Sequence, residues 1–260
     1  MIERLHLTRL LPHVIQSPNY NPLQSANRKM NSTETALLKL VDDMCDAVDA
    51  GRSTLLVALD MSAAFDTIEH DTLLKRLDHS FSISGDALKW LKSYLDQRSS
   101  FVQYGPDRST TTPCDFDVPH DSSPGPLLIM PFIAPLAYVV ASHVIRHHQH
   151  ADGMQIYITS TKNEFSNGIS TLLACTNRIY AWITNNGLAL NPSKSEAIVF
   201  QGPRCAENVV KDVIVAGSNI TISLNVKSLG VVLDKKLSFD KHDAGVCRVC
   251  YFHIRALRNV

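Results

Sequence analysis

The sixteen-residue stretch Leu55-Leu56-Val57-Ala58-Leu59-Asp60-Met61-Ser62-Ala63-Ala64-Phe65-Asp66-Thr67-Ile68-Glu69-His70 decides the fold. Its first five residues are apolar without interruption, the pattern of a strand covered on both faces of a sheet. The run ends on Asp60, at the mouth of that strand. A carboxylate there is costly to bury unless a partner compensates it, and a divalent cation is one such partner. The alternative reading is an acid that caps the turn that follows.

A second acid stands further along, in His150-Ala151-Asp152-Gly153, directly before the strand-like run Met154-Gln155-Ile156-Tyr157-Ile158-Thr159. Asp-Gly beside such a run predicts a hairpin tip, with glycine taking the positive φ that a tight turn needs. Read for structure alone, Asp152 only decorates a turn. Read for chemistry, Asp60 and Asp152 lie on neighbouring strands and share Mg²⁺ ions in a two-metal phosphoryl transfer.

The order of further blocks makes the chain resemble the reverse transcriptase of non-LTR (LINE-type) retrotransposons. Pro22-Leu23-Gln24-Ser25-Ala26-Asn27-Arg28 and Ser32-Thr33-Glu34-Thr35-Ala36-Leu37-Leu38 are similar to that family's PLQSAYR…HSTETALL segment. Leu59 to Thr67 is close to LDLSAAFDT, and Val118 to Leu128 is similar to VPQGSVLGPLL. His150 to Gly153 stands where the family has YADD. Leu188-Ala189-Leu190-Asn191-Pro192-Ser193-Lys194-Ser195 and Ser228-Leu229-Gly230-Val231 resemble the two later palm motifs.

The resemblance implies an α+β fold, a right-hand polymerase palm of antiparallel sheet with packed helices plus partial fingers. It divides the chain into partial fingers over 1–53, palm with inserted fingers elements over 54–225, and a primer-grip hairpin with the start of a thumb over 226–260. It implies RNA-directed DNA polymerase activity with a two-ion Mg²⁺ (or Mn²⁺) site, an RNA template, a DNA primer and deoxynucleoside triphosphates. Asp60 and Asp152 would carry the metals, and Lys194 would lie near the departing pyrophosphate. Phe65 would sit under the sugar and reject a 2′-hydroxyl, or else simply pack in the core. Arg28 would contact phosphate, or else be a solvated surface side chain. Gly230 would belong to the hairpin that grips the primer. The resemblance also implies a chain that opens inside the fingers and ends near the thumb.

Departures from the family pattern concentrate at the same places. Gly153 replaces the second Asp of the tip, and His150 replaces its aromatic residue. Asp117, His120 and Asp121 stand for Gly, Gln and Gly, Pro124 for an apolar helix residue, and Asn27 for Tyr. Loss of a tip carboxylate weakens a two-ion site, and acids in the Asp117–Asp121 segment repel phosphates. The combination predicts a polymerase fold with weakened or absent activity, a nucleic-acid-binding module without catalysis, or a relic without a role.

Composition adds limits. The 260 residues are 45% hydrophobic, enough for a sizeable core, and the formal net charge is zero. A neutral chain lacks the global basic field that many nucleic-acid-binding proteins use, so any binding cleft must be locally basic. The six cysteines form no framework and no secretory leader is recognisable, which predicts reduced thiols inside the cell. Cys247-x-x-Cys250 has no second pair to complete a zinc site, and the tract His147-His148-Gln149-His150 puts only His148 and His150 on one strand face. Residues 122–145 carry no Asp, Glu, Lys or Arg, but Pro124, Pro126, Pro131 and Pro135 break them, predicting a buried helix with a kinked continuation rather than a membrane span.

Elsewhere, apolar spacing predicts helices over 1–16, from an Asn31 N-cap to Gly51, and over 71–78, 85–97, 167–186 and 239–257. Strands are predicted over 54–60, 101–104, 195–200, 213–216, 220–223 and 226–233, with a polar turn over 107–112.

Overall fold

A computed structural model describes the chain except residues 1, 63, 97, 119–121, 123, 203–209 and 259–260. Its centre is a six-stranded sheet in the order β11-β12-β10-β1-β8-β7. Strand β1 (Ser53–Leu59) lies between β8 (Gly153–Ser160) and β10 (Glu196–Gln201), antiparallel to both. On the outer sides are β7 (Arg146–His150), β12 (Ser218–Ser223) and β11 (Asp212–Val215). β12 runs parallel to β10, and every other pairing in the sheet is antiparallel.

The uninterrupted apolar run of β1 is explained by two cores. Leu55, Val57 and Leu59 point into the larger one, while Leu56 points into a second with Leu40, Met44, Tyr157, Ile198 and Phe200. All four β1 side chains are at most 3% exposed, and each such burial is worth about 2 kcal/mol. Helices α3 (His70–His79), α5 (Gly125–Ile133), α6 (Leu136–Ala141) and α7 (Phe165–Asn185) supply the larger core, and α2 (Thr33–Asp49) supplies the smaller. α1 (Ile2–Gln16) and α4 (Gly85–Leu95) complete the larger cluster through Leu10, Val14, Leu91 and Leu95.

The apolar tract over 122–145 forms α5 and α6, with Pro135 as the N-cap of α6, as its prolines predict. No helix among the described residues is long and apolar enough to cross a membrane. The cap of α2 differs from expectation: Ser32 is the N-cap, its hydroxyl accepting from Thr35 N–H while the Thr35 hydroxyl accepts from Ser32 N–H. Asn31 stands one residue too early for that reciprocal box, and the capping partner is Thr35 rather than Glu34.

Two connecting segments also differ from expectation. The predicted strand over 226–233 is a hairpin of β13 (Asn225–Ser228) and β14 (Val231–Asp234), closed by Leu229 and Gly230, both at positive φ. The stretch 99–113 is a double ribbon. In it β3 (Ser99–Ser100) pairs with β6 (Thr112–Pro113), and β4 (Gln103–Tyr104) pairs with β5 (Asp107–Arg108). Phe101 is therefore no strand residue; it stacks under the Arg108 guanidinium, 3.5 Å from the ring centre. The terminal α8 (Asp240–Arg258) forms as predicted, but its apolar residues Val246, Val249 and Ile254 are exposed.

Candidate active site

Asp60 follows β1 directly, and Asp152 directly precedes β8. Because Leu59 pairs with Met154, the register brings Asp60 level with Gly153 and sets Asp152 one step beyond, on the neighbouring strand. The two acids therefore stand on neighbouring strand ends at one rim of the sheet. Both are partly exposed there.

The chain beyond Asp60 is tied down at once. β2 (Met61–Ser62) pairs with β9 (Ala189–Leu190), and Asn191 N–H donates to the Asp60 carbonyl at 2.8 Å. Asp60 N–H in turn donates to Ser195 Oγ at 3.5 Å. The Asn191 carbonyl accepts from the N–H groups of Lys194 and Ser195, which closes the turn between them. That turn presents Lys194 with its Nζ 4.0 Å from Asp60 Oδ2. Lys194 is 70% exposed and the pair is long, so it contributes well under about 1 kcal/mol and leaves the ammonium able to reach another anion.

The hairpin bearing Asp152 has a two-residue loop, with His150 paired to Gly153 across it. Its positive φ belongs to Ala151 (+52°), whereas Gly153 is an ordinary strand residue. The expectation that Gly153 supplies the turn conformation is thus wrong. When positive φ falls on the first loop residue, as in type II′ turns, the residue after the loop needs no special freedom. A Cβ built on Gly153 would meet only the His150 carbonyl, at 3.4 Å.

The side chain that holds this tip was not singled out by sequence. Gln24 is 1% exposed, and its carboxamide grips the Ala151 peptide groups on both sides. It lies in the Pro22–Arg28 segment that resembles the family pattern, but that pattern gives no sign that the glutamine reaches the tip. His148 Nδ1 bonds Gln155 Oε1, and burial pushes the His147 imidazole down to about 4, which keeps it neutral. Among the described residues no group of three or more His, Cys, Asp or Glu could hold a metal ion. Asp60 and Asp152 offer two carboxylates at this rim, oxygen ligands of the kind a hard divalent cation takes.

The other predicted residues are more scattered. Phe65 packs partly buried against the larger core, and its carbonyl accepts from Val118 N–H at 2.9 Å. Arg28 donates from Nη1 to the Pro22 carbonyl at 2.9 Å. Gly230 sits at the β13–β14 turn, on a hairpin whose Lys227 N–H binds the Glu196 carboxylate of β10. His120 and Asp121 lie outside the described residues.

Asp117 is held at φ +99°, a region natural to glycine, and has Gly in the resembled pattern. Its N–H donates to the Ile68 carbonyl, and its own carbonyl accepts from His70 Nε2. Its side chain pairs with Arg98 at 3.9 Å, both about one-third exposed, which is worth about 0.5 kcal/mol. Backbone strain of this kind costs about 1–3 kcal/mol. Asp117→Gly is therefore expected to stabilise the chain by about 1 kcal/mol and raise the urea midpoint; an unchanged or lower midpoint would show that the Arg98 pair outweighs the strain.

Residues 1–233 match the model of the reverse transcriptase (RNA-dependent DNA polymerase) family. The chain is 28% identical over 262 aligned positions to the probable RNA-directed DNA polymerase from transposon BS of Drosophila melanogaster, covering 98% of this chain and 28% of that protein. It is 25% identical over 248 positions to the RNA-directed DNA polymerase from mobile element jockey of the same species, covering 93% and 26%. The chain thus spans about a quarter of the length of these curated relatives. Among solved structures, apo telomerase from Candida tropicalis, truncated from its C-terminal domain, shares the fold with a TM-score of 0.57 at 10% identity, over 92% of this chain and 43% of that one. Telomerase from the same organism, in complex with a fragment of telomeric RNA, gives 0.55 at 9% identity, over 84% and 37%.

Proposed function

Because this chain belongs to the reverse transcriptase (RNA-dependent DNA polymerase) family, we propose that Asp60 and Asp152 form the core of an RNA-directed nucleotidyl-transfer site of a non-LTR mobile element, weakened in this copy. The observation that carries the reading is the β1–β8 register, which sets two acids on adjacent strand ends of a both-faces-covered sheet. A divalent cation bound there would steady the attacking and leaving oxygens. A two-ion Mg²⁺ or Mn²⁺ site is the family expectation. Gly153 leaves this tip one carboxylate short of it, which supports weak metal binding and low activity.

Around that core, Lys194 neutralises charge on the departing pyrophosphate, and its exposed, loosely paired ammonium suits the role. Phe65 shapes the floor under the incoming sugar, Arg28 lends its remaining N–H groups to phosphate, and the Gly230 hairpin supports the primer end. The partners are an RNA template, a DNA primer and deoxynucleoside triphosphates. The chain is read as partial fingers over 1–53, palm over 54–225, and primer-grip hairpin with thumb start over 226–260.

Asp117 in a glycine conformation, together with Gly153, favours a second reading: a palm that binds RNA or DNA without catalysis, or a relic with no role. Primer extension on an RNA template with Mg²⁺ or Mn²⁺ separates the readings. Low extension by the unmodified chain, lost in Asp60→Asn, supports the polymerase. Salt-sensitive RNA binding without any extension supports the module, since phosphate contacts make affinity fall with salt. Neither activity, in folded protein, leaves the relic.

A further inference from the structure

Asp152 rides on a strained peptide. Ala151, directly before it, has φ +52° in a two-residue loop, a conformation that a residue with a Cβ adopts only at a cost. Strain of this sort persists where surrounding groups over-determine the backbone, and it gathers at functional sites. The group that over-determines Ala151 comes from far away in sequence. Gln24 Oε1 accepts from Ala151 N–H at 2.9 Å and from Ala26 N–H at 3.1 Å, while Gln24 Nε2 donates to the Ala151 carbonyl at 3.0 Å.

The backbone around Gln24 is locked to the same hairpin. Ser25 N–H donates to the Gln149 carbonyl at 3.0 Å, and Gln149 N–H donates to the Leu23 carbonyl at 3.1 Å. Leu23 to Ser25 therefore pairs with the outer edge of β7 and delivers a buried carboxamide to the loop. Its donor and acceptor match the carbonyl and N–H of a single residue. A Glu would present a second oxygen to the Ala151 carbonyl, and an Asn would fall a methylene short.

We propose that Gln24 is a positioning residue, fixing the Ala151 peptide groups so that the Asp152 carboxylate is held where Asp60 can share a cation with it. The inference rests on the reading of Asp60 and Asp152 as a metal pair. It joins the segment before α2 to the catalytic rim, so a change near residue 24 alters the site without touching substrate.

The test compares Gln24→Leu with Thr54→Val in the full chain, each with and without Gly153→Asp. Thr54 is the control: it is buried, and its hydroxyl pairs with the Thr159 hydroxyl at 2.8 Å across the same sheet, far along β1 and β8 from the loop. Mn²⁺ affinity is read from the electron paramagnetic resonance signal of free Mn²⁺, and hydrogen exchange is read at the Ala151 amide. Gln24→Leu is expected to weaken Mn²⁺ binding about tenfold, as loss of a group that orients a ligand does. It is also expected to speed Ala151 exchange about tenfold, the protection of one hydrogen bond. Thr54→Val lowers thermal stability and moves neither readout.

Equal effects of the two variants, or no effect of Gln24→Leu in folded protein, overturn the proposal. If Leu at position 24 unfolds the chain, Gln24→Glu, which keeps the length and the acceptor but loses the Nε2 donor, carries the same comparison. If no form binds Mn²⁺ above an Asp60→Asn background, the metal-pair reading itself fails, and the Ala151 exchange rate still decides whether Gln24 holds the loop.

Discussion

Replacing Gly153 by Asp is expected to raise primer extension on an RNA template by about 10²-fold or more. A metal ion stabilises developing charge by several kcal/mol, and each 1.4 kcal/mol is about a factor of ten in rate. The position accepts the change: its φ is ordinary for an L residue, and an added Cβ meets one carbonyl at 3.4 Å. The new carboxylate starts β8 level with Asp60 on the neighbouring strand, within reach of it. Single-turnover extension with Mg²⁺, compared between the two chains at equal folded concentration, measures the gain. Equal rates would locate the defect elsewhere, with Asp117 the first alternative.

Arg76→Ala is expected to cost about 3–5 kcal/mol of folding stability, a large share of the 5–15 kcal/mol that holds a typical domain. Arg76 leaves α3 and donates to the Phe132 carbonyl near the end of α5 and to Asn186 Oδ1 at the end of α7. Its guanidinium also stacks on the rings of Phe132 at 4.4 Å and Trp182 at 5.2 Å. One cation thus serves two helix C-termini, where the helix dipoles are negative, through a backbone carbonyl of α5 and the C-cap side chain of α7. Burial holds the guanidinium down to about 10, still charged at neutral pH. Each hydrogen bond from a charged donor is worth about 1.5–3 kcal/mol. Arg76→Lys keeps the charge but not the fork, so it should lose about half as much. Urea unfolding of the three chains checks the order; a loss under about 1 kcal/mol for Ala would show that the stack and both caps are dispensable.

The sheet was legible in sequence because its signals are local. The Leu55–Leu59 run announces a strand with two covered faces, and the structure divides those side chains between two cores. The proline breaks over 122–145 likewise foretold a buried helix with an interrupted continuation, which are α5 and the partly buried α6. The resemblance to mobile-element reverse transcriptases is borne out by the family match. What failed depended on φ values and distant partners. Asp-Gly looked like the turn at 152–153, yet Ala151 carries the positive φ because a residue remote in sequence, Gln24, clamps it. The run over 226–233 hid a turn, since Leu229 is a poor signal for a residue at positive φ. Asn31 and Ser32 are both good caps, and only the reciprocal bond to Thr35 chooses between them.

The most direct measurement is primer extension by the double variant Asp60→Asn, Gly153→Asp beside Gly153→Asp alone. If Asp60 and the tip are one site, the activity gained by Gly153→Asp is lost to background when Asp60 is neutralised. Extension that survives in the double variant, in protein of unchanged stability, would contradict the pairing of these two strand ends as a catalytic centre.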